Sequence, residues 1–225
     1  RLKVNQHVSV VLDGGALLTL DGNMGYGQVM AYEAMQLGIE RAGKYGTAVV
    51  GLSNSHHIGR IGHWAEQCIA AGLISMHYVN VISQPVVAPF GGRDARFVTN
   101  PFCVGIPRPG GQPIVLDFAT SRIAMGKVRV AMNKGVEVGA DTLLDHQGEP
   151  TRDPKVMFRQ PFGASLRVLD LLDEGARLAP TLDQRRVARD GYAIVGAAPV
   201  ERRWTLAAVL THRSLRRSRR ARRAS

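Results

Sequence analysis

Between residues 16 and 128, apolar runs alternate with amphipathic stretches, and glycine punctuates the sequence repeatedly. That alternation restricts the chain to a sheet with helices packed on it. "ALLTLDG" (16–22) predicts a strand that ends at a turn. Residues 28–43 put Met35, Ile39 and Ala42 on one helical face closed by Gly43 or Gly46. "TAVVGLS" predicts the next strand, "WAEQCIAA" a helix, and "LISMHYVNV" after Gly72 another strand. Further on come a Gly91-Gly92 turn after "VVAPF", an Asn100-Pro101 break within "RFVTNPFCVGIP", and a strand "PIVLDFATS" ending in Asp117. In "SRIAMGKVRVAM", Ser121 has the chemistry of a helix N-cap. The expected class is mixed α/β.

The charge balance divides the chain. Of its net +11, residues 201–225 supply +8 through nine arginines and one glutamate, so the remaining 200 residues are nearly neutral. All five lysines lie at or before Lys155, and 22 of the 25 glycines at or before Gly163. Two segments are therefore expected: residues 1–163 as an ordered domain, and 164–225 as a divergent Arg-rich segment. The second has the composition of out-of-frame translation from GC-rich DNA, or of a helical or disordered extension. No stretch approaches the roughly 18 apolar residues of a membrane helix. The first 20 residues lack a signal-peptide arrangement, and Cys68 and Cys103 sit in apolar runs as expected core thiols. These features predict a cytoplasmic protein with no membrane partner.

"SNSHHIGRIGHW" (53–64) places three histidines where a strand hands over to a helix, a common ligand position in open sheets. His57 and His63 are six residues apart with two glycines between them, whereas two ligands on one helical face need a spacing of three or four. No metal site is therefore expected. His57 can exchange a proton with a substrate oxygen, Gly59 and Gly62 permit close approach of a ligand, and Arg60 can meet a carboxylate or phosphate. Polar residues at a helix start are the plain alternative. Asp117 can hold a ribose hydroxyl or act as a cap, and Thr99 and Asn100 can bind a carboxylate or simply form a turn. "GNMGYG" (22–27) lacks both the Rossmann glycine order and a Walker lysine.

Taken in order, "LDGNMGYGQ", "SNSHHIGRIGHWAEQC", "VVAPFGGRDARFVTNPFCVGIP", "VLDFATSRIAMGKV" and "DHQGEPTRDP" resemble the malate/L-lactate dehydrogenase family that is unrelated to the Rossmann enzymes. The resemblance covers residues 1–163. It implies a non-Rossmann mixed sheet flanked by helices, assembled as a homodimer. It also implies interconversion of a 2-hydroxy acid and a 2-oxo acid with NAD or NADP. His57 matches the histidine of the family's His-x-Gly turn, and Thr99 matches a substrate-contacting threonine. Asp117, Phe118 and Ala119 match its cofactor segment, Asn80 lies near a cofactor-contacting position, and Lys127 neighbours one. Family patterns also carry an upstream Ser-His-Gly segment and a later His-Lys-Gly-Tyr segment, the latter echoed here by "RDGYA" (189–193).

Three functions compete at this level. The first is a 2-hydroxycarboxylate dehydrogenase with His57 catalytic, and the second a nucleotide-binding remnant without turnover. The third, a nucleic-acid binder using the Arg-rich tail, is the weakest, because charge runs are usually just solvated.

Overall fold

In the computed structural model, the described residues are 1–159, 164–167 and 204–213, the last as backbone only. The faint echo at 189–193 lies outside them. Two compact units result. The first contains Arg1–Val79, Phe102–Asp117 and the strand at 204–213; the second contains Asn80–Pro101 and the described residues from Phe118 to Arg167.

The first unit is a seven-stranded mixed sheet. Its strands are β1 (Ser9–Gly14), β2 (Leu17–Asp21), β3 (Thr47–Ser53), β4 (Leu73–Val79), β6 (Pro101–Ile106), β7 (Ile114–Ala119) and β11 (Trp204–Arg213), in the order β1-β2-β3-β11-β4-β6-β7. β2 and β3 run parallel, joined through α1 (Gly27–Tyr45), as parallel neighbours require a crossover. In β3, Ala48, Val50 and Leu52 alternate inward, while α1 turns Met30, Ala31, Ala34, Met35 and Ala42 toward the sheet. α2 (Gly62–Ala70) adds Trp64, Ala65 and Cys68 to the same core. Each fully buried Leu or Met contributes about 1.5–3 kcal/mol relative to exposure. Of the two glycines expected to close α1, Gly43 lies within the helix and Gly46 ends it: Gly46 takes the left-handed conformation (φ 81°) and its N–H bonds the Ala42 carbonyl at 2.9 Å.

The second unit holds a four-stranded sheet, β5 (Val87–Ala88), β10 (Ser165–Arg167), β8 (Leu143–Leu144) and β9 (Pro150–Thr151), in the order β5-β10-β8-β9. α3 (Met125–Lys134) joins its core through Val128, alongside Val87, Val138, Leu143 and Leu166.

Just past the composition break at Gly163, Leu166 pairs with Val87 and is fully buried. Within the Arg-rich segment, the described residues 204–213 form a strand paired with β3 on one side and β4 on the other. Two expectations change here, the cap at Ser121 and the end of the strand at Asp117. Ser121 does not cap α3. It is buried, its hydroxyl bonds the Ile123 carbonyl at 2.9 Å, and the helix begins later, after Ala124. β7 continues past Asp117 to Ala119.

Candidate active-site residues in the two units

β3 delivers the chain into the histidine turn, where Asn54 takes a positive φ of 50°. His57 is exposed, and the Gly59 N–H donates to its Nδ1 at 2.9 Å. A ring nitrogen that accepts a hydrogen bond carries no hydrogen, so the neutral ring holds its hydrogen on Nε2 and offers a donor there. His56 differs: its Nε2 is buried with no hydrogen-bond partner among the described residues. His63, exposed on α2, sets its ring edge-on to Trp64, with centroids 4.8 Å apart. Among the described residues, no group of three His, Cys, Asp or Glu side chains is placed to hold a metal ion.

Arg60 and Asp117 meet around the start of α2. Asp117 Oδ2 accepts the Gly62 N–H at 2.8 Å, so β7 caps a helix that has no side-chain cap of its own. Arg60 Nη2 bonds Glu66 Oε2 at 2.6 Å. That hydrogen bond raises the arginine's pKa, with Asp117 adding to the effect, and lowers that of Glu66. The guanidinium expected to meet a substrate carboxylate thus already has two acidic neighbours. The cap can be tested directly: Asp117→Ala should cost about 1 kcal/mol in urea unfolding of the unliganded protein, with Asp117→Asn retaining most of it. An unchanged midpoint in Asp117→Ala would show that the carboxylate does not support the helix.

Cys68 and Cys103 are fully buried, and burial pushes their thiols up to about 11 and about 12. Neither is poised as a nucleophile.

In the second unit, Thr99 Oγ1 lies 2.9 Å from Ser121 Oγ. Ser121 spends its single hydrogen on the Ile123 carbonyl, so Thr99 must donate to Ser121, leaving its own lone pairs as acceptors. Asn100 is occupied structurally: its Oδ1 accepts the Val81 N–H at 3.0 Å, and its carbonyl accepts the Thr120 N–H at 3.3 Å. Through these bonds it braces the segment after Asn80 and the end of the strand carrying Phe118 and Ala119. Asn80 is exposed, Phe118 and Ala119 are half-buried, and Lys127 is exposed in the first turn of α3, a helix with no side-chain cap.

The structure therefore gathers Arg60, Gly62 and Asp117 in one unit, and Thr99, Asn100 and the Ala119–Ser121 segment in the other. Sequence reasoning missed Ser121 as the partner of Thr99 and Glu66 as the partner of Arg60. The spacing of Arg60 and Glu66 around a helix start was the available signal for the latter.

A family profile described as Malate/L-lactate dehydrogenase matches residues 1–175. The chain belongs to that family. It is 56% identical to hydroxycarboxylate dehydrogenase B of Escherichia coli (strain K12) over 165 residues, covering 73% of this chain and 46% of that protein. It is 46% identical to L-lactate dehydrogenase of Cupriavidus necator over 158 residues, covering 69% and 45%. The chain thus spans just under half the length of these curated relatives. Among solved structures, Δ1-piperideine-2-carboxylate reductase from Pseudomonas syringae matches with a TM-score of 0.68 and 28% identity, covering 92% of this chain and 62% of that one. The mixed α/β architecture is that of the malate/lactate and sulfolactate dehydrogenase-type folds.

Proposed function

We propose that this chain carries part of the active site of an NAD- or NADP-dependent oxidoreductase that interconverts a 2-hydroxy acid and a 2-oxo acid, working as a homodimer in the cytoplasm. The observation that carries the reading is the His57 turn. An exposed imidazole, held as the Nε2–H tautomer, offers a directed donor to the oxygen on the substrate's reacting carbon. With Nδ1 occupied, His57 polarises and orients that oxygen in this conformation; acting as a full proton donor requires Nδ1 to release the Gly59 N–H and take up a hydrogen.

A nicotinamide, when bound, supplies the two-electron transfer. The residues present fit such a group: Thr99 offers lone pairs that suit a carboxamide N–H, and Lys127, beside the uncapped start of α3, suits a phosphate. Asn80, Phe118 and Ala119 complete the proposed cofactor set. Asp117, Asn100 and Arg60 act in this reading chiefly by holding the elements that carry the others. A substrate carboxylate can reach Arg60 only in competition with Glu66.

Mixing the protein with NADH or NADPH and phenylpyruvate, hydroxyphenylpyruvate, pyruvate or oxaloacetate, and following the loss of reduced-cofactor absorbance, tests the proposal. Turnover with at least one pair is expected, and His57→Ala should lower kcat/KM by about 10²-fold, the usual loss for one directed donor. No oxidation with any pair, together with NADH binding in calorimetry, would replace it with the nucleotide-binding remnant.

A further inference from the structure

The glycine-rich segment 22–27 has no place in the reading above. It does not resemble a phosphate loop, yet its glycines at positions 22, 25 and 27 are buried. The Gly22 N–H donates to the Ser53 carbonyl at 2.8 Å, the Met24 N–H to Asn54 at 2.7 Å, and the His56 N–H to Gly25 at 3.4 Å. The loop therefore runs as a backbone template along the histidine turn. To make these bonds, Asn23 and Met24 both take positive φ, 51° and 58°, which is uncommon for residues with side chains. Contact is tightest at Gly27, the first residue of α1, where a Cβ would overlap the carbonyl oxygens of both His56 and His57.

We propose that Gly27 is a positioning residue for His57: the missing side chain at the head of α1 lets the His56–His57 backbone seat against the helix, which places the His57 ring for the Gly59 N–H. This rests on the proposed role of His57. A methyl group at position 27 meets backbone that cannot rotate out of its way. The 56–57 peptide must therefore withdraw, and the hydrogen bond into Nδ1 that selects the Nε2–H tautomer goes with it. Gly43, on the same helix, is the natural control, because a Cβ there meets nothing within 4 Å.

The ring can be read without any turnover. Long-range 1H–15N correlation on 15N-labelled full-length protein at about pH 8.5, where an ordinary imidazole is neutral, distinguishes the hydrogen-bearing ring nitrogen from the bare one. The His57 signals are identified by their loss in His57→Gln. Wild type and Gly43→Ala are expected to show Nε2 with its hydrogen and Nδ1 bare. Gly27→Ala is expected to show a mixed-tautomer ring and, where the wild type turns over, a fall in kcat larger than any rise in KM. Should Gly27→Ala not fold, Gly22→Ala serves instead, since its Cβ meets the Ser53 and Asn54 carbonyls at 3.2 Å and shifts the same turn less. A folded Gly27→Ala, or Gly22→Ala in its place, with the wild-type His57 tautomer overturns the inference. A tautomer that changes in a protein with no turnover on any substrate supports it while removing the proposed dehydrogenase activity.

Discussion

Val209→Pro is expected to abolish cooperative thermal unfolding of the full-length protein, whereas Val209→Thr leaves a single transition. Val209 sits in the middle of β11, opposite Val49 of β3 on one side and Met76 of β4 on the other. Proline removes the backbone N–H, and its ring does not fit a strand paired along both edges. The consequence reaches beyond one residue. β3 has β2 on its other edge and β4 has β6, so among the described strands no other joins the β1-β2-β3 half to the β4-β6-β7 half. Losing β11 leaves two facing rows of backbone groups without partners, each buried one costing about 1–3 kcal/mol. A domain has only about 5–15 kcal/mol in total. Circular dichroism melting checks this. An unchanged midpoint in Val209→Pro would show that residues 204–213 stand outside the sheet, as an Arg-rich extension would.

That strand also shows where reading the sequence stops. α1, β3, α2 and β4 were legible because each buries one face of a regular period and ends at a local signal such as Gly46 or Gly72. Nothing local announces that residues 204–213 enter between strands at 47–53 and 73–79; that is decided by long-range pairing, and the surrounding arginines point the other way. Ser121 failed for a related reason. Serine before a helical run has the chemistry of a cap, but burial beside Thr99 gave its hydroxyl a different partner. In the candidate site, His57 could be found from its place between strand and helix, while its tautomer depends on a backbone N–H two residues ahead. The cap formed by Asp117 on Gly62 spans 55 residues and leaves no trace in spacing. Gly27 could be noticed as a glycine opening a helix, but not the carbonyls that require it.

The second large effect is a loss of stability of about 3 kcal/mol between pH 7 and pH 4, traced to His77. His77 lies on the inward face of β4, fully buried. Its Nε2 is 2.8 Å from Ser75 Oγ, and Nδ1 has no hydrogen-bond partner among the described residues. The ionisable groups beside it in the core are Cys103, opposite it on β6, and Cys68 on α2, which the Ser75 hydroxyl also reaches. Both thiols stay neutral, so no carboxylate among the described residues offsets a charge on the ring. Burial accordingly pushes the histidine down to about 4 from its ordinary 6.5. In the unfolded chain the ring takes up its proton below 6.5, while in the fold it resists until about 4. The stabilisation is therefore complete above 6.5 and drains away as the pH falls through that window. Paired carboxylates such as Asp13 with Arg41 and Glu66 with Arg60, whose pKa values are lowered, lose their own smaller contributions at lower pH. Urea unfolding of His77→Leu, which keeps similar bulk without a titrating ring, separates the two sources. Its stability should fall by about 3 kcal/mol less than wild type over the same range, and a parallel fall in both proteins would assign the acid sensitivity to the carboxylates instead.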